Sequence, residues 1–157
     1  MIRPVGEKKK RTTQPRRVLA DPTRVGFIHV EAEVGTPGGG RWERLSFLVD
    51  TGAMLSVVPR PVLDALGVLE RNRRKFKLAN GELIERAVGG MVVRLQGQET
   101  NTDVIFGEPN DQLILGVTAL EQMGFMPNPV SGELEPIEML LVGFRGIDEH
   151  ALQRQER

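Results

Sequence analysis

Short apolar segments separated by turn residues constrain the fold of this chain more than any other feature. Residues 28–34 alternate between apolar and polar side chains, which is typical of a half-buried strand, with His29 on the polar face. Further apolar segments predict strands at 42–49, 56–59, 88–95, 102–106, 113–115 and 139–144. No strand–helix–strand rhythm is present. The sequence therefore predicts a small, mainly β closed barrel with one or two short helices, at 61–69 and 116–123.

Glycine-containing turns connect the predicted strands. Asn80-Gly81 lies in the middle of 76–83, and Asn-Gly is the strongest signal for a two-residue hairpin turn in which both residues take a positive φ. Residues 96–98 should join two strands, and Ser131-Gly132 predicts a second hairpin turn within 127–138.

Composition excludes several classes of chemistry. The 157 residues suit one domain with a modest core, which must be mainly aliphatic because aromatic residues make up only 4%. There is no cysteine and there are only two histidines, so we expect neither a metal site nor a cofactor. No apolar run approaches the roughly 20 residues that span a membrane, and no secretory signal is evident. We expect a cytoplasmic protein without membrane contact.

The net charge of zero is unevenly distributed. Residues 1–24 carry eight basic and two acidic side chains, a net charge of +6 that the remaining residues balance. Such a segment could bind nucleic acid or a partner, but it has no aromatic residues among the basic ones, so we favour a solvated, flexible arm. We predict a disordered basic arm at 1–24, one domain at 25–146 and a charged tail at 147–157.

A single carboxylate follows an apolar strand on a glycine-containing loop, where Phe-Leu-Val at 47–49 leads into Asp-Thr-Gly-Ala at 50–53. Hydrolysis by paired carboxylates needs two aspartates close enough to share a proton, because like charges at that distance cannot both ionise. Asp-Thr-Gly alone occurs often by chance, and a turn aspartate at a strand end is the simplest alternative. The second segment, Leu-Ile-Leu-Gly at 113–116 before a predicted helix, makes the catalytic interpretation the stronger one.

The two segments together resemble the retropepsin-like (clan AA) aspartic proteases, in particular short single-domain members found in bacteria. The matching patterns are Val-Asp-Thr-Gly-Ala-x-x-Ser-Val-x-Pro at 49–59 and Leu-Gly-x-x-x-Leu-Glu-x-x-Gly at 115–124. The resemblance extends over residues 25–140 and implies an acid-protease barrel and an aspartic endopeptidase. Since the chain has one Asp-Thr-Gly and is much shorter than the two-lobed pepsin-like enzymes, it also implies a homodimer acting on a polypeptide.

The resemblance implies a role for each motif position. Asp50 would be the catalytic residue. The active-site loop would contain Thr51, Gly52, Ala53 and Ser56. The flap over the substrate would contain Ala79, Asn80, Gly81 and Glu82. The strand beneath the active-site loop would contain Ile114, Leu115 and Gly116.

Two features depart from the retroviral pattern. Retroviral members usually have Asp directly after Asp-Thr-Gly-Ala and Arg directly after the second-motif glycine, where this chain has Met54 and Val117. We expect an apolar contact in place of that salt bridge. Retroviral flaps are glycine-rich at the tip, whereas this one has only Gly81, so it should be stiffer and more polar.

Two alternatives stay open at this point. One is a retropepsin-fold module that serves dimerisation or peptide binding without significant proteolysis, because a fold does not guarantee a function. The other is a nucleotide-binding fragment, since Val-Asp-Thr-Gly-Ala loosely resembles the phosphate loop of the actin and sugar-kinase group. That group requires two large lobes and a second phosphate motif, which 157 residues cannot supply.

Overall fold

Nine strands and two short helices make up the regular structure of residues 27–141, the part of the chain that the computed structural model describes. Their order is β1 (Ile28–Gly35), β2 (Trp42–Asp50), β3 (Ser56–Pro59), α1 (Arg60–Leu66), β4 (Asn72–Lys77), β5 (Leu83–Leu95), β6 (Gln98–Gly107), β7 (Ile114–Gly116), α2 (Val117–Met123), β8 (Phe125–Asn128) and β9 (Glu133–Pro136). No helix in this part is long and apolar enough to cross a membrane. The predictions for 1–24 and 147–157 lie outside the described residues.

Six of the strands close into a barrel. The hydrogen-bonded order is β1-β2-β7-β3-β6-β5, and β5 pairs again with β1, which completes the ring. Among residues 27–141, β4 pairs only with β5 and is an edge strand outside the ring, while β8 and β9 form a separate hairpin. The prediction of a mainly β closed barrel with two short helices is therefore confirmed.

The barrel interior is filled by alternate residues of its strands. In β1, Ala32 and Val34 are buried while His29 on the other face is exposed, as the alternation predicted. Only three aromatic side chains, Phe47, Phe106 and Phe125, belong to the main core cluster of the described residues. The core is thus mainly aliphatic, as the composition predicted.

The turn chemistry differs from the prediction at the first hairpin. Only Gly81 takes a positive φ, of 86°, and Leu78 N–H donates to the Glu82 carbonyl while Gly81 N–H donates to the Leu78 carbonyl. This is a three-residue loop with glycine in the left-handed position, not a two-residue Asn-Gly turn. The turn with two positive φ values lies instead at Gln96 (47°) and Gly97 (80°), between β5 and β6. The predicted turn at Ser131-Gly132 connects β8 and β9, with Gly132 at a φ of 71°.

Helix α1 ends earlier than predicted. It stops at Leu66 rather than at Leu69 because Gly67 takes a left-handed conformation with a φ of 82°. The Gly67 N–H donates to the Asp64 carbonyl and the Val68 N–H donates to the Leu63 carbonyl. This pair of hydrogen bonds satisfies the last carbonyls and terminates the helix. Helix α2 ends at Met123 and is followed by Gly124 in the same conformation, as predicted.

Two strand predictions need correction. The segments predicted at 76–83 and 88–95 belong to a longer hairpin, in which β4 begins at Asn72 and β5 runs without interruption over 13 residues. The basic, exposed residues of β4 show no alternation that could have revealed it. The predicted last strand at 139–144 is not formed over 139–141, whose side chains are exposed and find no strand to pair with among residues 27–141. Its other residues, 142–144, lie outside the described part.

Candidate active site

Strand β7 brings the two sequence motifs together. It lies between β2 and β3, parallel to β2 and antiparallel to β3, and its three residues pair with the last three of β2. In this register Asp50 stands opposite Gly116, and Leu48 N–H donates to the Leu113 carbonyl at 3.0 Å. Residues that are more than sixty positions apart in sequence therefore form one local unit around Asp50.

The carboxylate of Asp50 is oriented by the loop that follows it. Gly52 N–H donates to Asp50 Oδ1 at 2.8 Å, and Ala53 N–H donates to the Asp50 backbone carbonyl at 3.2 Å. A Cβ on Gly52 would lie 3.1 Å from Asp50 Oδ1, so the glycine lets the backbone approach the carboxylate closely. The loop holds one carboxylate oxygen and leaves the other without a hydrogen bond from the described residues.

Gly116 fits against the start of β3 with no room for a side chain. A Cβ at this position would lie 2.6 Å from the backbone carbon and 2.7 Å from the backbone oxygen of Leu55. Ser56, which is fully buried, accepts a hydrogen bond from Gly116 N–H at its Oγ, at 2.9 Å. This contact fixes the second motif directly behind the active-site loop.

Backbone hydrogen bonds connect the segments that contain Met54 and Val117, the two positions that depart from the retroviral pattern. Val117 N–H donates to the Ala53 carbonyl at 2.8 Å and Thr118 N–H donates to the Met54 carbonyl at 3.3 Å. The Met54 residue is 73% exposed, so the expected apolar contact with Val117 contributes little. Met54 instead presents an apolar side chain to solvent next to the active-site loop.

Asp50 stands on an open surface of the single chain. Thr51 and Gly52 are exposed, and Asp50 and Ala53 are half-buried. Two surface depressions, of about 440 and 390 Å³, are lined by other residues, and Asp50 lines neither. Within residues 27–141, no basic side chain forms an ion pair with Asp50. The carboxylate is thus neither enclosed nor neutralised by its own chain in the described part.

The tip of the β4–β5 hairpin is exposed and makes no hydrogen bond to the active-site loop in the described structure. Its four predicted flap residues are Ala79, Asn80, Gly81 and Glu82. Glu82 N–H donates to Asn80 Oδ1 at 2.9 Å, which stiffens the turn. Leu78 and Leu83 are also exposed beside the tip, so it is less polar than its central residues suggested.

Sequence reasoning missed an ion-pair cluster at the base of this hairpin. Arg86 on β5 donates from Nε to Asp111 Oδ2 at 2.8 Å and from Nη2 to Asp111 Oδ1 at 3.1 Å. Glu108 lies 3.4 Å from Arg86 Nη1, and its own N–H donates to Asp111 Oδ2. The hydrogen bond from Arg86 holds the pKa of Asp111 below its usual value, and the same bond raises the pKa of Arg86. The available signal was a charged residue at an inward position, between Ile84 and Val88.

The match to a protein-family model agrees with this geometry. Residues 40–122 match the model described as "gag-polyprotein putative aspartyl protease", a stretch that includes β2, the active-site loop, β7 and most of α2. The match covers more than half of the chain, and the chain belongs to this family. The prediction of a retropepsin-like aspartic protease is confirmed.

Two solved structures are similar to the chain. One is the EIAV protease in complex with an inhibitor, at 16% identity and a TM-score of 0.49, covering 73% of this chain and 93% of that one. The other is the solution structure of the Simian Foamy Virus (mac) protease, at 22% identity and a TM-score of 0.43, covering 59% of this chain and 91% of that one. No curated protein matches the sequence.

Replacement of Gly116 by alanine should destabilise the protein. The residue has a φ of −83° and a ψ of 165°, which alanine adopts freely, so the penalty comes only from the clash with the Leu55 backbone. We expect a loss of about 1–3 kcal/mol in the free energy of unfolding. Gly90→Ala is the matched control in urea denaturation, because a Cβ there meets only the end of the Arg71 side chain, at 4.0 Å. Equal stability of the two variants would contradict the close approach.

The Arg86–Asp111 pair should stabilise the fold in a pH-dependent way. Because the pKa of Asp111 is lowered in the folded state, its contribution is present above the ordinary value of 3.8 and is lost as the pH falls through the folded-state value below it. Asp111→Asn should therefore cost about 1–3 kcal/mol at pH 7 and progressively less below about pH 4. Denaturation from pH 7 to pH 3 measures this difference. Arg86→Gln should show the same trend, and a cost independent of pH would contradict it.

Proposed function

We propose that the protein is an aspartic endopeptidase that works as a homodimer, with one Asp50 from each subunit. The observation that carries the proposal is the carboxylate of Asp50, oriented by Gly52 on an open loop and present in a single Asp-Thr-Gly per chain. A dyad needs a second carboxylate at hydrogen-bonding distance, and a second copy of the same loop supplies it through a two-fold axis.

The reaction follows from two carboxylates that share one proton. The ionised Asp50 accepts a proton from a bound water, and the water oxygen attacks the scissile carbonyl carbon. The partner subunit's Asp50 donates its proton to the carbonyl oxygen, which gives a neutral tetrahedral intermediate. Transfer of a proton to the amide nitrogen then breaks the carbon–nitrogen bond and releases an amine and a carboxylic acid.

The surroundings of Asp50 suit this chemistry. Gly52 N–H donates to one carboxylate oxygen and leaves the other for water or for the partner's carboxylate. The Ser56–Gly116 hydrogen bond and the close packing of Gly116 keep the loop base rigid, which is what positioning of reacting groups requires. Thr51 is exposed on the loop and would reach the partner loop across the dimer axis.

The substrate would be an extended polypeptide held between the active-site loops and the β4–β5 hairpin. We assign the hairpin tip, residues 79–82, as the flap. The exposed side chains of Leu78, Leu83 and Met54 offer apolar contacts around this cleft, and the central Asn80 and Glu82 offer polar ones. The cytoplasmic location of the protein stays a prediction. The same holds for the basic arm at 1–24, whether it is a flexible segment or binds nucleic acid or a partner.

A dimerisation or peptide-binding module without proteolysis is the second candidate. It rests on the same fold, and it differs only in what Asp50 does. The nucleotide-binding alternative loses its support, because the six-stranded barrel of residues 27–141 is not the two-lobed fold that it requires.

Replacement of Asp50 by asparagine should abolish peptide cleavage, and the variant should act as a dominant-negative inhibitor when it is mixed with the wild-type chain. Loss of the ionisable group should lower the rate at least about a hundredfold without changing the dimer. A threefold excess of the variant over a fixed amount of wild-type chain should leave about a quarter of the wild-type activity, because random pairing produces heterodimers with one aspartate. The readout is cleavage of a fluorogenic peptide library.

Asp64→Asn, which changes an exposed aspartate on α1, is the matched control and should leave activity unchanged alone or in mixtures. An active Asp50→Asn variant would contradict the catalytic role. An inactive wild-type chain that still forms dimers would favour the module instead.

Specific activity should fall on dilution. Each active site needs two chains, so below the dimer dissociation constant the active fraction decreases in proportion to chain concentration. Activity and mass by light scattering, measured over the same concentration series, should decline together. Activity that stays constant while the mass falls to that of one chain would contradict the shared dyad.

A further inference from the structure

The outer part of the β4–β5 hairpin projects from the barrel. In the described part of the chain, residues 83–87 of β5 pair only with β4, and pairing of β5 with β6 begins at Val88. We call residues 72–87 the outer hairpin. β4 has no other neighbouring strand in the described structure. β-sheet pairing by itself therefore attaches the outer hairpin to the barrel only weakly.

The buried Ala87 at the base of the outer hairpin belongs to the main core, and three further side chains of the hairpin contact the barrel. One of these contacts is the exposed ion pair between Arg74 and Asp103 on β6, at 3.8 Å. Phe76 packs against the small apolar cluster of Leu55, Val88 and Ile105. Arg86, whose side chain is only 15% exposed, reaches the loop 108–113 between β6 and β7. The Phe76 contact is non-directional, whereas the Arg86 contact has a defined geometry because both carboxylate oxygens of Asp111 accept from the planar guanidinium.

The loop that receives Arg86 is itself fixed. Glu108 N–H donates to Asp111 Oδ2 at 2.8 Å, and Asp111 N–H donates to the Glu108 carbonyl at 3.0 Å. The same loop leads directly into β7, which begins three residues after Asp111 and ends at Gly116 opposite Asp50. One ion pair therefore connects the hairpin to the segment that carries the second motif.

We propose that Arg86 is a positioning residue that holds the flap hairpin at a fixed height over the active-site cleft by its two hydrogen bonds to Asp111. The proposal rests on the proposed function, because only a peptide-binding cleft gives the hairpin a substrate to position. Arg86 does not touch the reacting atoms. It acts through the tip at 79–82, which must lie against an extended peptide for the peptide to be bound.

The partners of Arg86 keep this tether intact over a wide pH range. The lowered pKa of Asp111 keeps its carboxylate ionised in mildly acidic solution. Glu108 adds a second, weaker attraction at 3.4 Å, and Arg86 Nη1 also donates to the Glu85 carbonyl at 3.0 Å. The guanidinium thus has partners for all three of its nitrogens.

The test uses Arg86→Gln and Asp111→Asn in the full-length protein, with two readouts. Hydrogen–deuterium exchange at the amides of Leu78 and Gly81, which are hydrogen-bonded within the tip, should be faster in both variants. For a cleaved peptide, KM should rise about tenfold while kcat changes much less, because the tether acts on binding rather than on the carboxylates. The double variant should be no worse than either single one, because both changes remove the same contact.

Arg73→Gln is the matched control. It removes a similar ion pair, with Glu85 at 2.9 Å, but that pair lies inside the hairpin and does not reach the barrel. Arg73→Gln should leave both exchange and KM unchanged. Arg86→Lys keeps the charge but cannot form the bidentate pair, so its exchange rates and KM should lie between those of the wild type and Arg86→Gln.

The two readouts separate this proposal from the proposed function. Unchanged exchange in both variants would contradict the proposal that Arg86 holds the hairpin. Faster exchange with an unchanged KM would also contradict it, because the hairpin would then not be positioned for substrate binding. An inactive wild-type chain would overturn the protease function, and the exchange experiment would then decide by itself whether Arg86 holds the hairpin.

Discussion

The contact between the backbone of Gly116 and that of Leu55 and Ser56 is the constraint on which the site depends. It requires a residue without a Cβ, because the backbone atoms of Leu55 already occupy that space. It places the N–H of Gly116 on the buried hydroxyl of Ser56 and thereby sets the register of β7 against β2. The position of Asp50 at the end of β2 follows from this register, so a contact between backbone atoms determines where this carboxylate is placed.

Much of the barrel could be predicted because its strands carry their burial pattern in the sequence. The alternation of residues 28–34 gave β1 almost to the residue, and Gly124 marked the end of α2. The unit around Asp50 could also be anticipated, since Asp-Thr-Gly and Leu-Ile-Leu-Gly are both local patterns.

The features that escaped prediction depend on contacts between distant residues or on competition between turns. The helix from Arg60 ended at Leu66 because Gly67 was free to close it, although apolar residues continue the helical spacing to Leu69. Asn80-Gly81 does not form a two-residue turn, because Leu78 pairs with Glu82 and leaves three residues in the loop. Arg86 and Asp111 are 25 positions apart, and nothing in either neighbourhood indicates the other. Pairings of this kind become visible only in three dimensions.

The edge strand β4 has a consequence for how copies of this chain can assemble. Four of its six residues are basic, and its outer side pairs with no other strand of residues 27–141. An open edge is a template on which another strand can add, but two copies of β4 side by side would bring arginines and lysines opposite one another. This repulsion disfavours the formation of continuous sheets through the β4–β5 hairpin, so association of copies would use other surfaces.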